Sequence, residues 1–314
     1  MLTRTKAFVL SGVLLAAATL TLSLYRPALP IEQVHKKYVQ AQSRFIEVNG
    51  VRLHYLDEGS GPETLLLVHG GGSSLFAWDA ITERLKAKYR VVRLDLPGFG
   101  LSGYDPKDDY HVANWMRYVI GFAERMNLRQ VIVMGHSTGA QIAWRIALER
   151  PELTKAIILS AATGFPEKDP VFWRAGQIPV VGELMSVLTP RFIVKMNLED
   201  IFFDKSKIKD DTIDRYYEIL RREGGRRAML ARMRAGDFDK HEQVPNIKIP
   251  ALVLWGTHDS WVPVTHGERY AKEMSNCTLV TFSNAAHNLI EEVPDEVSKT
   301  VIEWLARQPG LEHL

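Results

Sequence analysis

Solidly apolar runs of about five residues, separated by stretches of helical pattern, constrain this chain more than any other feature of its sequence. The runs read TLLLV at 64–68, RVVRL at 90–94, QVIVM at 130–134 and KAIIL at 155–159. A half-exposed strand alternates polar and apolar residues, whereas a strand covered on both faces loses that alternation. Helical patterns lie between the runs, near 78–88, 112–126 and 141–150. Buried strand alternating with helix predicts a parallel sheet wrapped on both faces. Two further runs, ALVLW at 251–255 and TLVTF at 278–282, are followed by helical patterns near 266–274 and 295–307. Ahead of them, 45–48 and 51–55 alternate at period two around Asn49-Gly50, a pair suited to the positive φ angles of a tight hairpin. The expectation is an α/β fold with a mostly parallel eight-stranded sheet flanked by helices.

The alternation stops at about Gly164 and resumes after Val244, with no strand candidate between. A structureless loop of that length is foreign to a compact domain, so about 165–244 is expected to be a helical cap within a domain spanning 44–310. Residues 26–43 are polar, with Pro27 and Pro30 near the start, and read as a linker. Before them, residues 7–24 run without a charge. In a helix at about 1.5 Å per residue, such a run nearly matches a hydrocarbon core of about 30 Å. Residues 1–25 are therefore expected to form an uncleaved signal-anchor. A cleaved signal peptide is the alternative, with Ala16-Ala17-Ala18 as the small-residue site. Arg4 and Lys6 precede the run, but Arg26, Lys36 and Lys37 follow it. The charge asymmetry thus leans only weakly toward a catalytic domain on the non-cytoplasmic side. Cleavage would instead leave a secreted or periplasmic protein.

A net charge of +2, from 39 basic and 37 acidic residues, gives no footprint for nucleic acid. Cys277 is the single cysteine, which excludes an internal disulfide and a cysteine-rich metal site.

Gly135-His136-Ser137-Thr138-Gly139 follows the QVIVM run and opens a helical pattern. This is G-x-S-x-G in a strand–turn–helix setting, where glycines let the backbone turn sharply and lift the serine above the sheet. A serine hydroxyl needs a base to become a nucleophile. His287 lies just past the TLVTF run and Asp259 just past ALVLW. Both are at the carboxyl ends of parallel strands, where such sheets bind ligands. Asp169 or Glu167 is the fallback acid. His69-Gly70-Gly71-Gly72 follows TLLLV, and such a segment can turn main-chain N–H groups toward a developing oxyanion. The N–H groups of Gly71 and Thr138 are the expected donors, with His69 ordering the loop.

The series HGGGSSLFAW (69–78), DLPGFGLSG (95–103), GHSTGA (135–140), GTHDSWVP (256–263) and AAHNL (285–289) resembles the motifs of the α/β-hydrolase family, in its small capped esterase-like branch. The resemblance implies Ser137 as nucleophile, Asp259 as acid, His287 as base and an oxyanion hole at Gly71 and Thr138. Relatives with aspartate at the elbow, the haloalkane dehalogenases and epoxide hydrolases, are excluded by Ser137. Ala140 stands where many relatives have glycine, a small-for-small change.

Within the cap, 178–198 is strongly apolar, and Arg221, Arg222, Arg226, Arg227, Arg232 and Arg234 crowd a short stretch. The first reads as lining for an acyl pocket as well as cap packing. The second reads as a solvated face, with contact to anionic lipid headgroups as the alternative. The expected activity is hydrolysis of a lipophilic, small-to-medium carboxylic ester, which requires no metal or organic cofactor. C–C bond hydrolysis and acyl transfer use the same triad and stand as alternatives. A non-catalytic binding protein on the same fold is a second.

Overall fold

A computed structural model describes residue 19 and residues 23–237, 239–308 and 310. The hairpin pairs β1 (Arg44–Val48) with β2 (Val51–Glu58) antiparallel. Asn49 and Gly50 turn between them at φ 49° and 80°, as a two-residue I′ turn requires. The remaining strands are β3 (Thr64–Val68), β4 (Arg90–Leu94), β5 (Val131–His136), β6 (Thr154–Ser160), β7 (Ala251–Gly256) and β8 (Cys277–Phe282). They pair parallel with one another, and the sheet order is β1-β2-β4-β3-β5-β6-β7-β8. Leu65, Leu66, Leu67 and Val68 of β3 are all fully buried, as are Val131 to Met134 of β5. Their solid apolar patterns follow from helices covering both faces.

That order places the functional end. From β3 the chain moves to β4 on one side, then crosses back to β5 on the other. The loops leaving β3 and β5 therefore part in opposite directions and open a crevice at their carboxyl ends. The register Val68↔Gly135 brings the glycine-rich loop directly beside the elbow. Helix Thr138–Glu149 is buried along almost its whole length, which fixes the elbow against the core.

Between β6 and β7 the chain forms five α-helices, Val171–Gln177, Pro179–Val187, Arg191–Ile201, Asp210–Arg221 and Gly225–Ala235, with no strand among the described residues. Val194, Leu198, Phe202, Ile213 and Tyr217 give this cap a small core of its own.

The segment read as a linker is built into the domain. Ile31–Tyr38 is a helix, and Val34 is buried with Leu56, Leu75, Phe76, Leu101 and Ile219. Leu29 bridges to the cap, donating to Arg221 O at 2.8 Å and accepting from Glu223 N at 2.9 Å. One apolar stripe in an otherwise polar octapeptide is enough to dock a short helix when a cluster is ready to receive it. Polar composition alone misread the segment. The expected anchor at 1–25 falls mostly outside the described residues, which include only residues 19 and 23–25 of it. Among the described residues, no helix is long and apolar enough to cross a membrane.

Candidate active site

Ser137 stands between β5 and its helix at φ 53°, ψ −120°, a conformation costly for a residue with a Cβ. The neighbours explain how it is held. A Cβ on Gly135 would lie 2.2 Å from Gly139 O, and one on Gly139 would lie 2.1 Å from Val68 O. Both positions must be glycine for strand and helix to meet this closely. The Ser137 N–H donates to Ser160 O at 2.8 Å, pinning the turn to β6.

The three side chains expected from the motifs come together from distant parts of the chain. His287 Nε2 is 3.1 Å from Ser137 Oγ, and His287 Nδ1 is 2.7 Å from Asp259 Oδ2. The second carboxylate oxygen, Oδ1, accepts from the N–H groups of Trp261 at 2.9 Å and Val262 at 2.8 Å. Asp259 thus has a fixed orientation, and the imidazole behind Ser137 is buried at 3% exposure. The fallback carboxylates go elsewhere. Asp169 accepts from Gln177 Nε2 at 2.6 Å, and Glu167 lies 3.4 Å from His266 Nε2.

Gly71 and Thr138 border the same pocket as Ser137. A Cβ on Gly71 would sit 3.2 Å from the indole of Trp173 and 3.5 Å from Thr138 Oγ1. This part of the loop is pressed between the cap and the elbow. Thr138 is the first residue of its helix, so its N–H has no carbonyl within the helix to bond. His69 orders the loop as expected. Its Nε2 accepts from Leu96 N–H at 3.0 Å, so Nδ1 carries the proton donated to Gly70 O at 2.8 Å. Burial holds its pKa below the ordinary imidazole value, against an opposing pull from Asp95. His136, with its ring 5.1 Å from that of His287, is driven well below that value, first by burial and then by His287 itself.

The pocket above Ser137 is roofed by the cap. Phe172, Trp173, Ile193, Leu198, Met229 and Met233 supply its apolar wall. Its charged lining consists of Glu167, Asp169 and Asp237 against Lys168 and Arg232. Arg232 is buried, with its guanidinium on Asp237 and on Tyr110 O at 3.1 Å. Among the described residues no group of three or more His, Cys, Asp or Glu is placed to hold a metal.

Sequence reasoning missed a clamp between cap and triad. Asn288 N–H donates to Ile201 O at 3.0 Å, Trp261 Nε1 to Asp200 Oδ2 at 2.6 Å, and Ser260 Oγ to Asp200 O at 3.1 Å. Glu292, 3% exposed, accepts from Ala286 N at 2.9 Å and Asp204 N at 2.6 Å. The end of one cap helix thereby holds both the Asp259 loop and the His287 loop. In the sequence these residues look like ordinary helix-end acids and turn residues, and nothing there marks the partnership.

Comparison with known proteins agrees with this fold. The model of the alpha/beta hydrolase family matches residues 65–300. The chain is 31% identical over 266 residues to the uncharacterized hydrolase YugF of Bacillus subtilis, covering 83% of this chain and 97% of YugF. It belongs to the α/β hydrolase family. As an α/β hydrolase it is also 28% identical to the 2-hydroxy-6-oxononadienedioate/2-hydroxy-6-oxononatrienedioate hydrolase of Burkholderia vietnamiensis, over 88% of this chain and 97% of that one. A thermophilic esterase from Thermogutta terrifontis superposes with a TM-score of 0.73 at 24% identity, covering 85% of this chain and 99% of the esterase. That likeness speaks for the fold alone. Several relatives are named as hydrolases and one as the acetyltransferase component of an acetoin cleaving system in Cupriavidus necator; this chain is an enzyme of the hydrolase class.

Proposed function

We propose that this α/β hydrolase is a membrane-anchored serine hydrolase, cleaving carboxylic esters of lipophilic, small-to-medium acyl groups through an acyl-Ser137 intermediate. Ser137 Oγ attacks the ester carbonyl as His287 Nε2 takes its proton. Asp259 keeps the other ring nitrogen protonated, orients the ring and offsets the charge that forms on it. The N–H groups of Gly71 and Thr138 receive the developing oxyanion. His287 returns the proton to the departing alcohol. The same nitrogen then takes a proton from water, which attacks the acyl carbon and releases the acid and free Ser137.

The observation that carries this reading is the continuous relay of 3.1 Å and 2.7 Å ending on a serine in a strained, glycine-flanked turn. The apolar roof supports a lipophilic acyl group. Relatives named for C–C bond cleavage favour a second reading, in which the same residues hydrolyse a vinylogous diketone acid. The pocket argues against it. Its buried cation, Arg232, is already occupied by Asp237, which leaves the exposed Lys168 at the rim as the cation for a substrate carboxylate.

A fluorophosphonate probe should label the wild-type enzyme and not Ser137→Ala, whose turnover should fall by about 10³-fold or more. Turnover of neutral aryl esters should exceed that of 2-hydroxy-6-oxo-dienoates; the reverse order would establish the second reading. Adding alcohols to the assay exposes acyl transfer by the ester products formed. Folded protein that takes no label and turns over neither class would leave only a binding role. The anchor assigned to 7–24, with the domain on the non-cytoplasmic side, should make the full chain resist carbonate extraction. Release by carbonate would remove it.

A further inference from the structure

Nine of the eleven large apolar side chains left exposed among the described residues fall between Val171 and Phe203, on the cap. Val171 is 74% exposed, Val180 72%, Met196 58%, Ile178 54%, Phe192 52% and Leu184 52%. The densest part is helix Pro179–Val187, whose one charged residue is Glu183 and whose one buried residue is Gly182. A Cβ on Gly182 would lie 2.4 Å from Gly176 O. This helix therefore packs on its neighbour through bare backbone and turns its valines and leucine outward. The cap does not use them for its own core, which is built from other residues.

Basic groups stand at both ends of that helix. Arg226 donates to Val187 O at 3.0 Å at the carboxyl end. Arg234 reaches Glu183 at 3.0 Å and Pro179 O at 3.4 Å at the amino end. An apolar face collared by arginines is the pattern of a helix lying in a lipid interface, with its cations among the headgroups.

The path of the chain points to the same surface. Arg221 donates to Pro27 O at 2.8 Å, and the Tyr25 side chain is close enough to Arg226 to affect it electrostatically. The charge-free run 7–24 thus joins the domain at the edge where Arg226 meets the exposed helix. On their inner side, the same cap helices line the pocket over Ser137 through Phe172, Trp173, Ile193 and Val194.

We infer that the outer face of the cap helices within 171–201 docks on a phospholipid bilayer bearing anionic headgroups, and that substrate passes from that bilayer into the pocket. The second half rests on the ester-hydrolase reading above; the docking itself does not. An exposed apolar patch this concentrated has a partner. The arginine collar and the adjoining apolar tract make the partner lipid.

The test uses the full chain, with Cys277→Ser, reconstituted into phosphatidylcholine vesicles with or without phosphatidylserine. Val180→Cys carries an environment-sensitive fluorophore, and Lys299→Cys, on an exposed site of the sheet domain, serves as the control. At position 180 the emission should shift to the blue and be quenched by spin-labelled acyl chains, more strongly with phosphatidylserine; at 299 neither should occur. Arg226→Gln and Arg234→Gln should each weaken the phosphatidylserine effect about fivefold. Val180→Asp with Leu184→Asp should lower hydrolysis of a vesicle-borne long-chain ester about tenfold or more while leaving a water-soluble short ester unaffected. A probe at 180 that stays water-exposed in vesicles overturns the docking. So does shielding that appears without lipid and grows with protein concentration, since a second copy would then cover the face. Turnover of neither ester would fail the hydrolase reading, while the fluorescence still decides the docking.

Discussion

Replacing Glu292 by glutamine should slow the enzyme without touching the triad. The carboxylate accepts two backbone N–H groups, from Ala286 beside His287 and from Asp204 beyond the cap helix. An amide of the same shape keeps one acceptor and turns an NH2 group toward the other donor. One charge-assisted hydrogen bond is lost and one buried N–H is orphaned, a cost of about 1–3 kcal/mol. At roughly 2–4 °C per kcal/mol for a domain of this size, a cost of about 2 kcal/mol lowers Tm by about 4–8 °C. The backbone of Ala286 sets where the imidazole sits, and displacement of a reacting group by about 1 Å can cost about 100-fold in rate. The expected outcome is a fall in kcat of about 10- to 100-fold with KM nearly constant, read by stopped aryl-ester assays beside thermal melts. The pocket wall is unchanged, so a rise in KM at constant kcat would contradict the coupling. Wild-type Tm and kcat together would show that the clamp positions nothing.

Asp259→Asn should fold, since its amide oxygen can still accept from Trp261 and Val262. Its NH2 then faces His287 Nδ1 and forces the proton onto Nε2, toward Ser137, so kcat should fall by about 10⁴-fold; loss of less than about tenfold would remove Asp259 from the relay. Stability should fall as pH drops below the ordinary imidazole value of 6.5. His136 and His69 are both held below that value in the fold, so only the unfolded chain takes up their protons there. Each should contribute a slope of about 1.4 kcal/mol per pH unit, fully stabilising above 6.5 and lost below it. Denaturant unfolding followed through that range should show a shallower slope in His136→Gln, and an unchanged slope would place the proton uptake elsewhere. Asp95 is a separate case. Burial raises its pKa, but the hydrogen bond and charge of His54, the charge of His69 and the N–H of Leu75 outweigh that and hold it low, so its contribution is lost only in stronger acid.

The sheet was legible because its central strands are buried on both faces, which leaves runs such as TLLLV with no alternative use. The triad was legible because the chemistry requires three residue types at three strand ends. The elbow helix starts at Thr138 rather than near Gln141; its first turn is disguised by the glycine that lets Val68 O approach. What stayed hidden was every contact between residues far apart in the chain. Val34 reads as one apolar residue in a polar tether until Leu56, Phe76 and Ile219 are found around it. Glu292 reads as a helix-end acid until Ala286 and Asp204 converge on it. Pattern reports which face of an element is buried, but not which residue of another element meets it.

The most direct measurement is rapid-quench mass spectrometry of the full chain mixed with an excess of an aryl ester. The peptide containing Ser137 should gain the mass of the acyl group within the first turnover and lose it as product acid appears, and His287→Gln should neither gain it at that rate nor turn over. Steady hydrolysis with no adduct on Ser137, or with the acyl group on another residue, would contradict nucleophilic catalysis at the elbow.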